Sequence, residues 1–151
     1  MKKTLLFTLT VGIACTVYAQ TANPVKWAYS AKKLTGNIYE VHLTASVDGD
    51  WHIYSQHIDI DLPVATTFTF TKNPLLTIDG KLAEVGKLIK KKEEVLGGMV
   101  NYYEKTVDFV QKVKLRGNTK TSLAGKVEFV VCNNARCLPP SEVTFSVNVG
   151  G

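Results

Sequence analysis

The stretch that decides the fold runs Lys126-Val127-Glu128-Phe129-Val130-Val131-Cys132-Asn133-Asn134-Ala135-Arg136-Cys137-Leu138-Pro139-Pro140, then Ser141-Glu142-Val143-Thr144-Phe145-Ser146-Val147-Asn148-Val149. Val127, Phe129 and Val131 alternate with Lys126 and Glu128; Val143, Phe145, Val147 and Val149 alternate with Thr144, Ser146 and Asn148. Period two puts one face of a segment in apolar surroundings and the other in water, which is the requirement of a half-buried strand. Between the two runs lies a polar loop carrying two cysteines. The double proline that closes it cannot donate ladder hydrogen bonds, so the backbone there stays off a sheet.

The same period extends toward the N-terminus. Tyr39, Val41, Leu43, Ala45 and Val47 alternate with Glu40, His42, Thr44 and Ser46, and Asp48-Gly49-Asp50 ends that run in a turn signal. Trp51 to Ser55 resumes an extended segment. Ala65 to Thr71 is rich in β-branched and aromatic residues between Pro63 and Asn73-Pro74. Leu75 to Ile78 and Lys81 to Val85 read as two shorter strands around Asp79-Gly80. Gly97-Gly98 breaks the chain again before a long strand with Val107, Phe109, Val113 and Leu115 on one face, interrupted by Gln111. Helix is disfavoured throughout: Leu82 to Leu96, the best window, contains Gly86 and a lysine run. About eight short strands with turn signals between them predict an all-β fold, an antiparallel β-sandwich.

At the N-terminus, Met1-Lys2-Lys3, the apolar run Leu5 to Ala14 and Val17-Tyr18-Ala19 before Gln20 have the order of a secretory signal peptide. Residues 1–19 are therefore expected to be cleaved, leaving 20–151 as a single domain of roughly 130 residues with its own core. Cys15 is a competing lipoprotein acceptor, but Gly12-Ile13-Ala14 lacks the leucine such a site calls for. Loss of Lys2 and Lys3 lowers the formal charge of +5 by two. The basic residues are scattered, and Lys90-Lys91-Lys92 is followed at once by Glu93-Glu94. No nucleic-acid surface is expected, and the lysine run reads as a solvated loop or strand end.

Cleavage leaves Cys132 and Cys137 as an even pair in an oxidising compartment. Three chemistries are open to it. A structural disulfide closing so short a loop contributes only about 2 kcal/mol in the chain-entropy model. A metal site needs more ligands, and His42, His52 and His57 have no ligand spacing to the cysteines. His42 and His52 are expected on solvated strand faces. Thiol–disulfide exchange needs an exposed sulfur with an accessible thiolate. The polar loop suits it, and Arg136, adjacent to Cys137, is the candidate for tuning the thiolate. No cofactor and no small-molecule substrate are expected. The runner-up is a non-enzymatic secreted binding module with a structural disulfide, which would keep its function when both cysteines are replaced.

Trp51-His52-Ile53-Tyr54-Ser55, Tyr102-Tyr103-Glu104-Lys105 before the long strand, and Val131-Cys132 through Cys137-Leu138-Pro139-Pro140 with Phe145 beyond carry a resemblance. Over residues 24 to 149 the chain resembles the N-terminal periplasmic domain of the DsbD family of thiol:disulfide interchange proteins. The resemblance implies an immunoglobulin-like sandwich with its cysteines near one end. It implies a domain that receives electrons from a membrane-embedded module through a thioredoxin-like domain. Such a domain then reduces periplasmic thioredoxin-fold partners, such as disulfide isomerases or the thioredoxins of cytochrome c biogenesis. Carried over, Cys137 forms the mixed disulfide and Cys132 resolves it. Tyr102, with Tyr103 beside it, takes the place of the aromatic cap that shields the pair. The chain departs from the pattern in having four residues between the cysteines, one fewer than the best-known members, and Val100 and Asn101 where those carry acidic residues before the cap. Because the sequence carries neither the membrane module nor the thioredoxin-like domain, the electron source is expected to be a membrane transporter acting in trans.

Overall fold

The computed structural model describes residues 23–60, 63–93 and 97–151; the expected leader and Cys15 lie outside them. The described residues form nine strands: β1 (Val25–Lys33), β2 (Ile38–Val47), β3 (His52–Tyr54), β4 (Thr67–Phe70), β5 (Leu76–Glu93), β6 (Gly98–Leu115), β7 (Thr121–Phe129), β8 (Val131–Cys132) and β9 (Ser141–Val149). Among the described residues no helix forms. All pairings are antiparallel. One sheet has the order β1-β2-β6-β3-β8 with β5 on the free edge of β6, and the second has the order β4-β7-β9. The fold is the antiparallel β-sandwich that the alternation predicts, immunoglobulin-like as the resemblance implies.

The main core lies between the sheets. Val41, Leu43 and Ala45 of β2 and Val107, Phe109 and Val113 of β6 meet Leu123, Val127 and Phe129 of β7 and Phe145, Val147 and Val149 of β9. Residues 25–33, which the alternation did not mark, form β1; Trp27 and Tyr29 pack from it onto the core. The Trp27 ring lies 5.5 Å from Phe129 and 5.9 Å from Phe109, distances at which aromatic pairs add to area burial. Gly125 is required by a close approach: a side chain there would run into the Thr69 carbonyl and the Phe145 ring.

One expectation changes. Leu75–Ile78 and Lys81–Val85 are not separate strands. Apart from Leu75, which lies in the turn before it, they belong to the single 18-residue strand β5, and Asp79-Gly80 is a bulge within it, with Gly80 at φ 73°. Gln111 explains why the bulge is stable. It interrupts the apolar face of β6 but is fully buried, and its amide donates to the carbonyls of Asp79 (3.2 Å) and Lys112 (2.8 Å). Burial of the amide is tolerated because these bonds replace water. The lysine run is the solvated end of β5, where Lys91 pairs with Glu93 at 2.7 Å.

The second irregularity positions the functional end. β6 pairs with β2 as far as Thr106 and with β3 from Glu104 onward. Between them Lys105 adopts φ 64°, and the register with β5 shifts between Gly86 and Leu88 at the same level. Bulges of this kind bend and re-aim a strand. Beyond this one, the first half of β6 leaves β2 and takes β3 and β8 as neighbours.

Candidate functional site

At this end the sheet carries two different apolar faces. Ile53 of β3, Tyr103 of β6 and Val131 of β8 belong to the main core. Tyr54, Val100, Tyr102, Val130 and Cys132 form a separate small core with Ile58, Ile60, Val64 and Ile89. The division follows from pleating, since successive side chains point to opposite faces and cross-strand partners share one. The described parts of the 56–66 segment are tied down by Asn101, whose side-chain amide donates to the His57 carbonyl, and by the Thr66 hydroxyl donating to the Tyr54 carbonyl, both at 2.6 Å.

Cys132 and Cys137 are joined by a disulfide. They face each other across a narrow turn, continued below by a hydrogen bond from the Leu138 amide to the Val131 carbonyl at 2.9 Å. Asn133 shapes the turn. Its backbone amide donates to the Arg136 carbonyl, and its side-chain oxygen accepts from the amides of Ala135 and Arg136, all at 2.9 Å. An Asx side chain substitutes here for a backbone acceptor. The outcome is an unequal pair: Cys132 is 3% exposed within the small core, while Cys137 stands exposed on the loop.

The other expected site residues separate. Tyr102 joins the small core with Cys132, as a shield requires, but it is a residue of a regular strand rather than of a loop. Tyr103 is turned the other way. It is buried in the main core, and its hydroxyl donates to Glu84 Oε2 at 2.7 Å, so it does not join Tyr102 over the cysteines. Burial and the Glu84 carboxylate both push its phenol up. Glu84 also accepts from the Ser55 hydroxyl and the Gln56 backbone amide, each at 2.7 Å. Burial pushes the Glu84 carboxyl up, but these hydrogen bonds outweigh it and hold the group below its ordinary value. The guanidinium of Arg136 lies 5.8 Å from the Trp51 ring centre, which holds the exposed loop against β3's approach by a cation–π contact.

One neighbour escaped the sequence reading. His52, expected on a solvated face, is half-buried and stands directly opposite Cys132 in the β3–β8 pairing. Its ring lies 4.3 Å from Tyr102 and meets Tyr54 edge-on at 5.3 Å. Burial lowers its imidazole below the ordinary value, and Lys91 adds to this, while Glu104 and Glu93 oppose it. The signal available in the sequence was parity: His52 and Tyr54 are two apart and so share a face. Among the described residues no group of three or more His, Cys, Asp or Glu side chains is placed to hold a metal ion.

The fold that carries this site recurs in solved structures. The N-terminal domain of DsbD from Neisseria meningitidis, in its reduced form, matches with a TM-score of 0.53 at 14% identity, over 82% of this chain and 87% of that one. The N-terminal periplasmic domain of ScsB from Proteus mirabilis matches with a TM-score of 0.53 at 17% identity, over 80% of this chain and 44% of that one. At such identities the likeness is one of fold. No curated protein sequence matches the chain. The family described as the N-terminal domain of the thiol:disulfide interchange protein DsbD matches residues 19–149, nearly the whole length, and the chain belongs to that family.

Proposed function

We propose that this domain exchanges thiols and disulfides with thioredoxin-fold proteins of the periplasm, using Cys137 as the sulfur that meets the partner and Cys132 as the one that resolves the mixed disulfide. The observation that carries this is the inequality of the pair, one cysteine exposed and one buried. Exchange proceeds by in-line attack of a thiolate on a disulfide sulfur, so only an accessible sulfur can form the intermolecular bond. In the dithiol form Cys137 attacks the partner disulfide and releases one partner thiol. Cys132 then attacks Cys137, re-forms the internal disulfide and releases the second. A membrane electron transporter restores the dithiol. Periplasmic location is supported by family membership and by the periplasmic origin of the ScsB domain. Tyr102 serves as the shield over Cys132; Arg136 acts on the loop through Trp51 and on the Cys137 thiolate by its charge.

The test is trapping. Cys132→Ser should accumulate mixed disulfides through Cys137 with periplasmic thioredoxin-fold proteins, visible on non-reducing gels and identified by mass spectrometry; Cys137→Ser should not. Absence of adducts, with a reduction potential below about −300 mV as in structural disulfides, would refute the reading and leave the pair a staple.

A further inference from the structure

We infer that Glu104, His52 and Cys132 form a proton-handling row, in which His52 takes the proton from the Cys132 thiol as that sulfur attacks the mixed disulfide. The inference rests on the exchange reading above and assigns the group that activates its second step. The row is a matter of register. His52 on β3 is the direct partner of Glu104 on β6 and of Cys132 on β8, so three side chains stand in line across three adjacent strands. They share a face, because direct partners do, and because the residues next to them, Ile53, Tyr103 and Val131, all point into the main core. Carboxylate, imidazole and thiol in sequence is the arrangement of an orienting group, a base and a nucleophile.

The need for a base is specific to Cys132. An exposed thiol such as Cys137 ionises against water, whereas burial in an apolar cluster disfavours the thiolate. Cys132 is buried among Tyr54, Val100, Tyr102 and Val130. Its proton therefore needs an acceptor inside the site. The imidazole is held in place for this, its ring against Tyr102 at 4.3 Å and edge-on to Tyr54 at 5.3 Å. The groups that act on it are Glu104 and Tyr102 from β6, Tyr54 from its own strand, Lys91 and Glu93 from β5, and Cys132 from β8. Burial keeps the ring neutral, the state able to accept, and the two carboxylates favour the cation formed when it does.

The step balances without a further reagent. The Cys132 S–H bond breaks and its proton passes to His52. The sulfur attacks Cys137, the Cys137–partner bond breaks, and the partner sulfur leaves as a thiolate that takes up the proton from the imidazolium. Two thiols of this domain become one disulfide, and the partner disulfide becomes two thiols. His52 is a catalytic residue in this scheme and Glu104 a positioning residue.

The test uses the reduced full chain and 5,5′-dithiobis(2-nitrobenzoate), whose two chromophore releases follow attack by Cys137 and then resolution by Cys132. In the wild type the second phase should inflect with pH at a midpoint below about 6.5, the ordinary imidazole value. His52→Phe, which keeps an aromatic ring against Tyr102, should slow the second phase at pH 7 by at least about tenfold and leave the first within about twofold. His52→Gln should do the same if the Phe variant folds poorly. Glu104→Gln should move the midpoint to lower pH, a change that a purely packing role would not produce. A wild-type second phase with a single inflection at the thiol's own value, or an unchanged second phase in both His52 variants, would overturn the row. Because the probe is not a protein, this outcome is independent of adduct trapping. Adducts with an unaltered second phase would remove the row alone, and a His52-dependent second phase without adducts would remove the partner reading alone.

Discussion

His52 and Cys132 stand directly opposite one another in the β3–β8 pairing, with the His52 ring 4.3 Å from that of Tyr102. A titrating ring thus sits in the wall of the small core that holds the buried sulfur. Its folded-state affinity for protons is below that of an unfolded histidine, chiefly because burial disfavours the charged form. The unfolded chain therefore binds the proton more readily, so this contribution to stability is fully present above about 6.5 and is lost as pH drops from there through the lower folded-state value. Denaturant midpoints measured from about pH 8 to pH 5 should show this decline in the wild type. His52→Gln should lose that portion of it.

Tyr102 and Tyr103 are neighbours with separate duties, and truncation should tell them apart. Tyr102→Ala opens the small core, with an expected loss of about 2–4 kcal/mol, and should speed reduction of the disulfide by dithiothreitol. Tyr103→Ala removes a ring from the main core and the bond to Glu84. It should destabilise at least as much, yet leave reduction under native conditions close to the wild-type rate. Equal acceleration in both variants would show that shielding is not particular to Tyr102.

Glu84 ties the edge strand β5 to the residues just after β3 by accepting from Ser55, Gln56 and Tyr103. Glu84→Gln should cost about 1–2 kcal/mol near neutral pH, the lower range for charged hydrogen bonds because the carboxylate is only half-buried. Its folded-state value is held down, so the stabilisation is complete above the unfolded value of about 4.3 and is lost as pH falls through the folded one. The midpoints of the two proteins should converge in acid, as followed by urea titration.

The disulfide should matter little to folding. Cys132→Ser/Cys137→Ser is expected to lose about 2 kcal/mol, the return on closing so short a loop, and to retain its β-rich circular dichroism. A loss of fold would mean that the small core depends on the bond itself.

The sequence by itself determined the class of fold and the place of the chemistry. Alternation at Val127–Val131 and Val143–Val149 specifies half-buried strands wherever they pair, because side-chain parity is a local property of extended backbone. The cysteine loop, its Asn133 turn and the double proline are likewise contained in a dozen adjacent residues. Parity, however, does not name a partner. That Asp79-Gly80 is a bulge in one strand, and not a turn between two, depended on the buried amide of Gln111, 31 residues away from Gly80. That Tyr102 faces the cysteines while Tyr103 faces the core, and that His52 meets Cys132 at all, depended on β6 leaving β2 for β3 at the Lys105 bulge. Strand partnership is fixed by contacts between residues far apart in the chain. The unequal exposure of the two cysteines, on which the proposed exchange depends, was therefore a decision of the tertiary structure.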